Sequence, residues 1–371
     1  MQPGLEDIQT QVAAVNAAGK MTALGGSAQH ADIASVMAEA AQMHVDLSLL
    51  RQLGGEMLAE MTGAEAACIT TGAAAGICIA VAAILTGQDL HKVQQLPQFP
   101  GENRFLLQAG HAVNFGASVE QMIRMGGGTP LKIGAVNAVS KKLLSDTIAD
   151  TDCAGFVYVQ SHHCVQENML DLSSCIEICH AQGKPVLVDA AAEEDLRLYI
   201  ESGADLVTYS GGKAIGGPTA GFIAGKKALI AACELQFLGI ARPMKVGKEQ
   251  IMGLLKALTL YTVENREARK IACSRINRQI LAGIEGLPVF KAVLRQDEAG
   301  RDINRIAISP VNEAFAIKDL IQFLSNSTPS IRTRNHHMDQ GFIQIDSREL
   351  DSQKADYIIE RLSSFAGQLE N

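Results

Sequence analysis

Short apolar segments alternate with helical segments along much of the chain, and this alternation limits the folds that it can adopt. Helical periodicity covers residues 73–85 and 172–182. Because strands separated by helices are joined by crossover connections, they form a parallel sheet with helices on both faces. The pattern therefore predicts an α/β fold. The predicted strands are 66–70, 105–107, 129–133, 155–160, 185–189, 205–210 and 221–224.

The last third of the chain predicts a separate, smaller α/β domain. A helical pattern without proline runs from residue 249 to about 282 and predicts a long helix between two domains. The elements predicted after Gly286 are a strand at 305–308, a helix at 314–324, a strand at 341–345 and a helix at 352–366.

These patterns divide the chain into four expected parts. They are an N-terminal segment (1–20), a large α/β domain (21–248), a linking helix (249–285) and a small C-terminal α/β domain (286–371). Inside the large domain, residues 88–104 are polar and contain two prolines and a glycine, so we expect a surface loop there.

The composition argues against several classes of partner. The chain has 32 basic and 40 acidic residues, a net charge of −8, whereas nucleic acids and anionic membranes bind basic surfaces. The longest apolar run, 73–85, is shorter than the roughly 18 residues that cross a bilayer. Residues 1–11 lack the basic-then-apolar pattern of a signal peptide. We therefore expect a cytoplasmic protein with no nucleic-acid or membrane partner.

The eight cysteines are best interpreted as free thiols. Cys175 and Cys179 lie about one helical turn apart and are followed by His180, which resembles part of a metal site. No CxxC pair accompanies them, however, and buried free thiols are the ordinary state of cysteine in a reducing cytosol. We therefore expect neither disulfides nor a bound metal.

Lys213 lies in the segment most indicative of chemistry. It follows the predicted strand 205–210, and glycines surround it at 211, 212, 216 and 217. Glycines let the backbone approach another group closely, and ligands of open α/β sheets bind at the carboxyl ends of the strands. A desolvated lysine there can form a Schiff base, although a surface lysine on a loop would show the same local pattern.

Asp189 supports the first interpretation of Lys213. It ends the apolar strand 185–189, where an unpartnered buried carboxylate would be costly. A protonated pyridine nitrogen is one suitable partner, and pyridoxal phosphate (PLP) enzymes use such a pair. The alternative role for Asp189 is the N-cap of a following helix.

A third segment, 70–76, has the composition of a phosphate site. Thr71, Gly72 and Ala73 lie where a predicted strand turns into a helix, whose N-terminal amides and dipole attract anions. Ser210 is placed to add a hydrogen bond. Ser210-x-x-Lys213 also matches a penicillin-binding signature formally, but the accompanying Ser-Asp-Asn and Lys-Thr-Gly motifs are absent from the sequence.

The order of phosphate segment, acidic strand end and glycine-flanked lysine resembles that of fold-type I PLP enzymes. Five stretches extend this likeness: 15–19, 58–67, 203–213, 216–221 and 241–246. They resemble the bacterial selenocysteine synthase family, and within it the small-molecule branch of D-glucosaminate-6-phosphate ammonia-lyases. The resemblance covers residues 12 to 366. It implies an aspartate aminotransferase-like fold, with a large domain of mostly parallel sheet between helices and a small C-terminal α/β domain.

The resemblance also implies roles for individual residues around the cofactor. Lys213 corresponds to the Schiff-base lysine and Asp189 to the partner of the pyridinium nitrogen. Thr71, Gly72, Ala73 and Ser210 correspond to the phosphate site. Further expected cofactor contacts are His111, in the region that lies over the ring face, Ser161, at the end of the 155–160 strand, and Thr219, directed toward a neighbouring subunit's phosphate.

The reaction implied by the resemblance is a PLP-dependent α,β-elimination. A phosphorylated 2-amino sugar acid would lose its C3 hydroxyl as water, and the resulting enamine would tautomerise and hydrolyse with release of ammonia. D-glucosaminate-6-phosphate would thus give 2-keto-3-deoxy-6-phosphogluconate. His162 is the expected acid for the leaving hydroxyl, with His30 and His163 as alternatives. Arg242, Arg334 and His30 are expected to contact the substrate, because carboxylate and phosphate groups bind basic side chains.

Other functions remain compatible with the same residues. One is a selenium transferase-like reaction, and another is a lyase acting on a different amino acid with a β-leaving group. The family's selenium transferases carry an additional N-terminal tRNA-binding domain, whereas here the 15–19 motif lies close to Met1, so we expect a small-molecule substrate. A non-catalytic PLP-binding regulator is a third possibility. By analogy with the fold type, we expect a homodimer or a higher homo-oligomer.

Overall fold

The computed structural model describes residues 4–161, 163–297 and 302–369. The helices are α1 (Leu5–Val12), α2 (Ala31–Ala41), α3 (Leu47–Thr62), α4 (Ala73–Thr86), α5 (Leu90–Gln95), α6 (Val119–Met125), α7 (Lys141–Asp150), α8 (Leu172–Ala181), α9 (Leu198–Glu201), α10 (Lys227–Leu235), α11 (Lys248–Thr259), α12 (Val263–Glu285), α13 (Ile317–Ser325) and α14 (Ser352–Leu369). The strands are β1 (Ala14–Ala17), β2 (Ala66–Thr70), β3 (Arg104–Gln108), β4 (Thr129–Ile133), β5 (Gly155–Val159), β6 (Val186–Asp189), β7 (Leu206–Ser210), β8 (Gly221–Gly225), β9 (Phe290–Gln296), β10 (Asn304–Pro310), β11 (Ser330–Thr333) and β12 (Ile343–Ile345).

The described residues group into two compact units. The large unit comprises residues 29–259, and the small unit comprises the described parts of 1–28 and 260–371. The predicted N-terminal segment 1–20 thus belongs to the small unit together with the C-terminal residues.

The large unit is built around a mixed sheet. Seven strands of the described chain are ordered β2-β8-β7-β6-β5-β3-β4, and only β8 among them runs antiparallel to its neighbours. Each of the seven strands predicted from apolar runs is present, with ends that differ by at most one residue. The predicted α/β class with a mostly parallel sheet is confirmed.

The small residues of α4 allow it to pack closely on the sheet. Alanine, glycine and β-branched residues dominate its sequence, and most of its side chains are buried. Ile77, Ile79 and Val81 join a core that also contains Leu107 of β3 and Val157 of β5. The N-terminus of α4 is thereby held at the end of β2, where one of the predicted site segments lies.

The expected loop at 88–104 is wrong for its first part, because residues 90–95 form α5. The Asp89 carboxylate caps this helix by accepting hydrogen bonds from the backbone amides of His91 and Lys92 at 2.9 and 3.3 Å. Val93 is buried and packs against Gly239. The helix contains two apolar residues, Leu90 and Val93, and buries only Val93, which is too weak a periodic signal to predict a helix from the sequence.

The expected linking helix over 249–285 is also wrong, because two helices replace it. α11 ends at Thr259 and α12 begins at Val263. The Thr262 hydroxyl accepts a hydrogen bond from the Asn265 amide at 3.2 Å, and the Asn265 side chain donates to the Leu260 carbonyl at 2.9 Å. This pair of caps begins a new helix without proline or glycine.

The small unit contains an antiparallel sheet with strand order β12-β10-β9 and a parallel pair of β1 with β11. α12, α13 and α14 supply apolar side chains to its core, including Ile280, Leu320 and Leu362. Arg305 and Asp346 form an ion pair inside this unit at 2.8 Å, with both side chains almost completely buried.

Three further observations bear on the expectations from composition. The eight cysteines are free. Among residues 4–161, 163–297 and 302–369, every helix is too short or too polar to span a bilayer. In the same ranges, His, Cys, Asp and Glu side chains do not gather in threes that could hold a metal ion.

Candidate active site

The carboxyl ends of the parallel strands meet along one edge of the seven-stranded sheet, and most of the predicted site residues of the large unit lie there. Gly72 follows β2, and Ser161 follows β5. Asp189 and Ser210 are the last residues of β6 and β7, which are neighbours in the sheet. The fold therefore brings together residues that are up to 138 positions apart in the sequence.

Lys213 lies in a tight turn directly after β7. Residues 211–215 form a helical turn that is interrupted at Lys213, whose φ of −107° and ψ of −111° are not helical, and Lys213 is half-buried. The turn is closed by backbone hydrogen bonds from Gly211 to Ala220 at 2.8 Å and from Gly217 to Gly211 at 2.7 Å. The Gln29 side chain donates to the Gly217 carbonyl at 2.9 Å. These bonds fix the backbone that carries the lysine.

Asp189 is buried beside this turn. Its Oδ1 atom accepts hydrogen bonds from the Thr208 hydroxyl and from the Ala191 amide, each at 3.2 Å. Burial raises the pKa of Asp189 above its ordinary value, while the charge of Lys213 and the two hydrogen bonds oppose that rise. A carboxylate in this setting is stabilised by a positively charged partner.

The N-terminus of α4 forms the predicted phosphate segment. Gly72 caps the helix with φ of +156°, a conformation that is open almost only to glycine, and it supplies no side chain to the helix amides. A Cβ atom on Gly221 of β8 would lie 2.8 Å from the Gly72 Cα atom, so the two backbones are in close contact. Thr71 and Ser210 are half-buried, and Ala73 is buried. Unpaired amides at a helix N-terminus bind anions.

His111 is fully buried between the ends of β3 and β5. Its Nδ1 atom accepts a hydrogen bond from the Val159 amide at 3.3 Å, and its ring makes an edge contact with Tyr158. Burial lowers the pKa of His111 to about 4, so the ring is neutral at pH 7. Because Nδ1 is an acceptor, the proton is on Nε2, which has no hydrogen-bond partner among the described residues.

The segment after β5 contributes a hydroxyl and a thiol. Ser161 is half-buried, and its Oγ atom accepts a hydrogen bond from the His163 amide at 3.2 Å. The Cys164 thiol donates to the Val159 carbonyl at 3.4 Å. Burial and the charge of Asp189 raise the pKa of Cys164 to about 12, so the thiol is protonated. His162 lies outside the described residues, so its expected role as an acid stays a prediction.

Three other predicted residues of the large unit are exposed. His30 caps α2, and its Nδ1 atom accepts a hydrogen bond from the Asp32 amide at 3.3 Å. Arg242 begins a 3₁₀ turn, and its side chain has no ion-pair partner in the described part of the chain. Thr219 lies in the loop between the Lys213 turn and β8. Their expected contacts with substrate or cofactor stay predictions.

Arg334 belongs to the small unit. It follows β11, and its backbone forms a bridge with Gln344, with both hydrogen bonds at 2.9 Å. Its expected contact with the substrate also stays a prediction.

Sequence reasoning missed Thr208, Cys164 and Gln29. Thr208 lies two residues before Ser210 in a predicted strand, but its contact with Asp189 depends on the register between β6 and β7. Gln29 comes from a segment 184 residues before Lys213. Only the fold itself reveals such pairs, because nothing in the local sequence encodes the register or the return of a distant segment.

Comparison with known proteins shows two near-full-length relatives. The chain is 40% identical over 359 residues to a 5'-C-glycyluridine monooxygenase-decarboxylase of a Streptomyces species, which covers 95% of this chain and 89% of that protein. It is 39% identical over 360 residues to a D-glucosaminate-6-phosphate ammonia lyase of Salmonella typhimurium, which covers 95% of each.

More distant matches extend the same group. The family described as L-seryl-tRNA selenium transferase matches residues 183–286. An L-seryl-tRNA(Sec) selenium transferase of Serratia proteamaculans is 29% identical over 223 residues, which is 56% of this chain and 44% of that protein. The residues matched by the family model include Lys213, and the Serratia match leaves more than half of that relative without a counterpart.

Solved structures agree with these likenesses. A structure of D-glucosaminate-6-phosphate ammonia-lyase superimposes with a TM-score of 0.89 at 36% identity and covers both chains completely. The serine palmitoyltransferase of Sphingomonas wittichii has a TM-score of 0.57 at 13% identity over 96% of this chain and 87% of that chain. The second likeness concerns the fold alone.

Proposed function

Since the chain belongs to the selenocysteine synthase-like family of fold-type I PLP enzymes, we propose that it removes water across C2 and C3 of D-glucosaminate-6-phosphate. The resulting enamine tautomerises to an imine, which takes up one water molecule and releases ammonia. The products are 2-keto-3-deoxy-6-phosphogluconate and ammonia. The observation that carries this proposal is the near-complete likeness to the ammonia-lyase, at 39% identity over 95% of each chain and a TM-score of 0.89.

PLP is the cofactor of this enzyme, and the edge of the sheet fits it. Asp189 is a buried carboxylate with one oxygen unpaired by described residues, which suits the pyridinium nitrogen. The uncapped amides at the start of α4 suit the phosphate. The buried Nε2 of His111 offers a donor without a partner in the described chain. When bound, PLP supplies an electron sink for the negative charge that develops at the substrate's amino carbon.

Lys213 has two roles in the proposed reaction. It holds the cofactor covalently before the substrate arrives, and its amine afterwards removes the proton from the substrate C2 atom. The backbone hydrogen bonds of the turn fix the position of Lys213 in the chain, and its charge favours the ionised form of Asp189, which supports placing both at one cofactor. Asp189 stays ionised and stabilises positive charge on the cofactor ring.

A separate acid has to protonate the hydroxyl that leaves from C3. His111 does not suit this role, because its pKa is lowered to about 4 and its Nδ1 atom is occupied by the Val159 amide. The thiol of Cys164 does not suit it either, since its pKa is raised to about 12. We propose His162 for this step, with His30 and His163 as the alternatives, and Arg242 and Arg334 for binding the anionic groups of the substrate.

The Streptomyces relative supports a second candidate. Its name describes oxygenation and decarboxylation of a glycyl compound, and its identity to this chain, 40%, is equally high. The same PLP site would then serve an oxidative decarboxylation that consumes dioxygen. The two candidates share Lys213 and Asp189 and differ in the bond that is broken.

One assay separates the candidates. The purified holoenzyme is incubated separately with D-glucosaminate-6-phosphate and with 5'-C-glycyluridine, each with and without dioxygen. Ammonia, 2-keto acid, carbon dioxide and oxygen uptake are measured. Equal ammonia and keto acid under both conditions is the expected result. Carbon dioxide release that requires oxygen would favour the second candidate. The Lys213→Ala variant is the control, and activity retained in it would overturn both.

The assembly and the compartment are also proposed. A homodimer or a higher homo-oligomer is supported by exposed leucines on α3, where Leu49 and Leu53 lie one turn apart at 50% and 53% exposure. The eight free cysteines support a reducing cytoplasm. The mass of the native protein by light scattering tests the assembly, and a monomer at micromolar concentration would contradict it.

A further inference from the structure

We propose that Thr208 is a positioning residue, which fixes one carboxylate oxygen of Asp189 and leaves the other directed toward the pyridinium nitrogen of PLP. This inference rests on the proposed function, because it takes Asp189 as the partner of the cofactor. It adds a residue from the middle of a strand to a site whose other members come from strand ends and loops.

The hydrogen bonds of Asp189 are divided unequally between its two oxygens. Thr208 Oγ1 and the Ala191 amide both donate to Oδ1, each at 3.2 Å. Within residues 4–161, 163–297 and 302–369, no protein donor contacts Oδ2. A hydroxyl has one hydrogen, so the Thr208 hydroxyl is committed to this bond as a donor. The arrangement leaves Oδ2 available for a charged ligand.

Packing holds the Thr208 side chain in the orientation that makes this bond. Thr208 is fully buried, and its backbone pairs with Asp189 of β6 on one side and Ile223 of β8 on the other. α4 crosses it closely, because a Cβ atom on Gly76 would lie 3.0 Å from Thr208 Cγ2. A branched side chain between two strands and a helix has little freedom to rotate.

The bond has an electrostatic consequence for Asp189. Burial favours the neutral acid, whereas the Lys213 charge, the Thr208 hydroxyl and the Ala191 amide favour the carboxylate. Without the Thr208 hydroxyl, fewer interactions stabilise the carboxylate against the effect of burial, so the pKa of Asp189 rises further. A neutral Asp189 no longer attracts the pyridinium nitrogen, and the affinity for PLP falls.

Substitutions at position 208 test this role directly. Thr208→Val removes the hydroxyl and keeps the shape, and Thr208→Ser keeps the hydroxyl. Dissociation constants for PLP are measured on the apoprotein from pH 5 to 9. We expect Thr208→Val to bind PLP about tenfold more weakly at pH 7, the loss typical of a hydrogen bond to a charged group. Thr208→Ser is expected to stay close to the wild type.

The pH dependence distinguishes this role from a structural one. On acidification, the affinity of Thr208→Val for PLP is expected to begin falling at a higher pH than that of the wild type. Thr62→Val is a matched control, because Thr62 is a buried threonine of the same unit whose hydroxyl, in the part of the chain that the structure describes, donates only to carbonyls of α3. It should change stability without changing the pH profile. Thr208→Ala removes the same hydroxyl and replaces the valine variant if that fails to fold.

The outcomes separate this inference from the proposed function. Wild-type affinity and an unchanged pH profile in Thr208→Val, or a loss of affinity matched by Thr208→Ser, would overturn the role of Thr208 alone. Failure of the wild-type protein itself to bind PLP would overturn the proposed function and this inference with it. Tight PLP binding without turnover of the sugar acid would leave the role of Thr208 standing and change only the assigned substrate.

Discussion

Asp189 in the large unit and Asp346 in the small unit are both buried, but their carboxylates are stabilised in different ways. Asp346 accepts hydrogen bonds from two guanidinium groups, Arg305 at 2.8 Å and Arg348 at 2.7 and 2.9 Å. Asp189 accepts hydrogen bonds from one hydroxyl and one amide, on a single oxygen. Among the residues that the structure describes, hydrogen-bond donors contact both oxygens of Asp346 but only one oxygen of Asp189.

The pKa values shift in opposite directions for this reason. Burial alone would raise the pKa of both groups. At Asp346, the hydrogen bonds and charges of Arg348 and Arg305 outweigh burial and lower the pKa to about 2. At Asp189, burial outweighs Lys213 and the two hydrogen bonds, and the pKa rises. A buried acid that the chain leaves incompletely stabilised, at the edge where ligands bind, marks a position for a ligand charge.

The sharpest form of this contrast concerns activity. Asp189→Asn keeps the size of the side chain and removes its charge, so the cofactor ring loses its anionic partner. We expect ammonia release from D-glucosaminate-6-phosphate to fall about thousandfold in kcat, the scale of a lost electrostatic contact to developing charge. A fall of less than tenfold would contradict the role of Asp189. Asp195→Asn, an exposed aspartate in the loop after β6, is the control.

The small unit should respond in stability instead. Asp346→Asn leaves Arg305 and Arg348 without their shared carboxylate, and breaking a buried pair from one side costs about 3 kcal/mol. Urea unfolding followed by circular dichroism measures this loss. Asp351→Asn is a matched control, because its carboxylate is exposed and pairs only with Lys354 among the described residues. Equal unfolding midpoints for Asp346→Asn and Asp351→Asn would contradict the structural role of Asp346.

Acid should reveal the same ion pairs. The pKa of Asp346 is lowered from 3.8 to about 2, so its contribution is complete above about pH 4 and is lost as the pH falls to about 2. The shift corresponds to about 2 kcal/mol. The stability difference between wild type and Asp346→Asn is therefore expected to shrink by that amount between pH 5 and pH 2. A difference that is independent of pH would contradict the assigned ion pairs.

The smallest effect is expected for the apoprotein of Asp189→Asn. The pKa of Asp189 is higher in the folded protein than in the unfolded chain. The folded protein therefore loses stability as the pH rises from the ordinary pKa of an aspartate through the raised pKa, because Asp189 becomes charged in a buried position. The neutral amide removes that cost, so the apo variant should be at least as stable as the wild type at pH 7. Thermal unfolding of the two apoproteins measures the difference in stability. A clear loss of stability in the variant would show that Asp189 stabilises the fold, as Asp346 does, and would contradict its role as a ligand partner.

The positions of Asp189 and Lys213 could be predicted because both follow from local rules. Each lies at or after the end of an apolar strand, and the carboxyl ends of parallel strands meet at one edge. The partners of Asp346 could not be predicted in this way. Arg305 is 41 residues away, and its approach depends on the antiparallel pairing of β10 with β12.

The errors in secondary structure have a similar origin. Val93 is the buried residue of α5, and its packing against Gly239 depends on the folded chain and not on a local sequence pattern. The break between α11 and α12 depends on side-chain hydrogen bonds of Thr262 and Asn265. A prediction that relies on proline and glycine to end a helix does not detect these caps. Long periodic elements such as α14 were predicted well because many buried residues share one pattern.

The most direct test of the proposed PLP site is to find which lysine binds the cofactor. The holoenzyme is reduced with borohydride, digested, and mapped by mass spectrometry. Lys20 is the natural competitor, because it is a half-buried lysine of the small unit whose pKa is lowered by burial to about 8. We expect the reduced cofactor on Lys213 in the wild type and in Asp346→Asn. A reduced cofactor on Lys20, or on no lysine after PLP has been added, would contradict the assignment of Lys213 as the lysine that binds PLP.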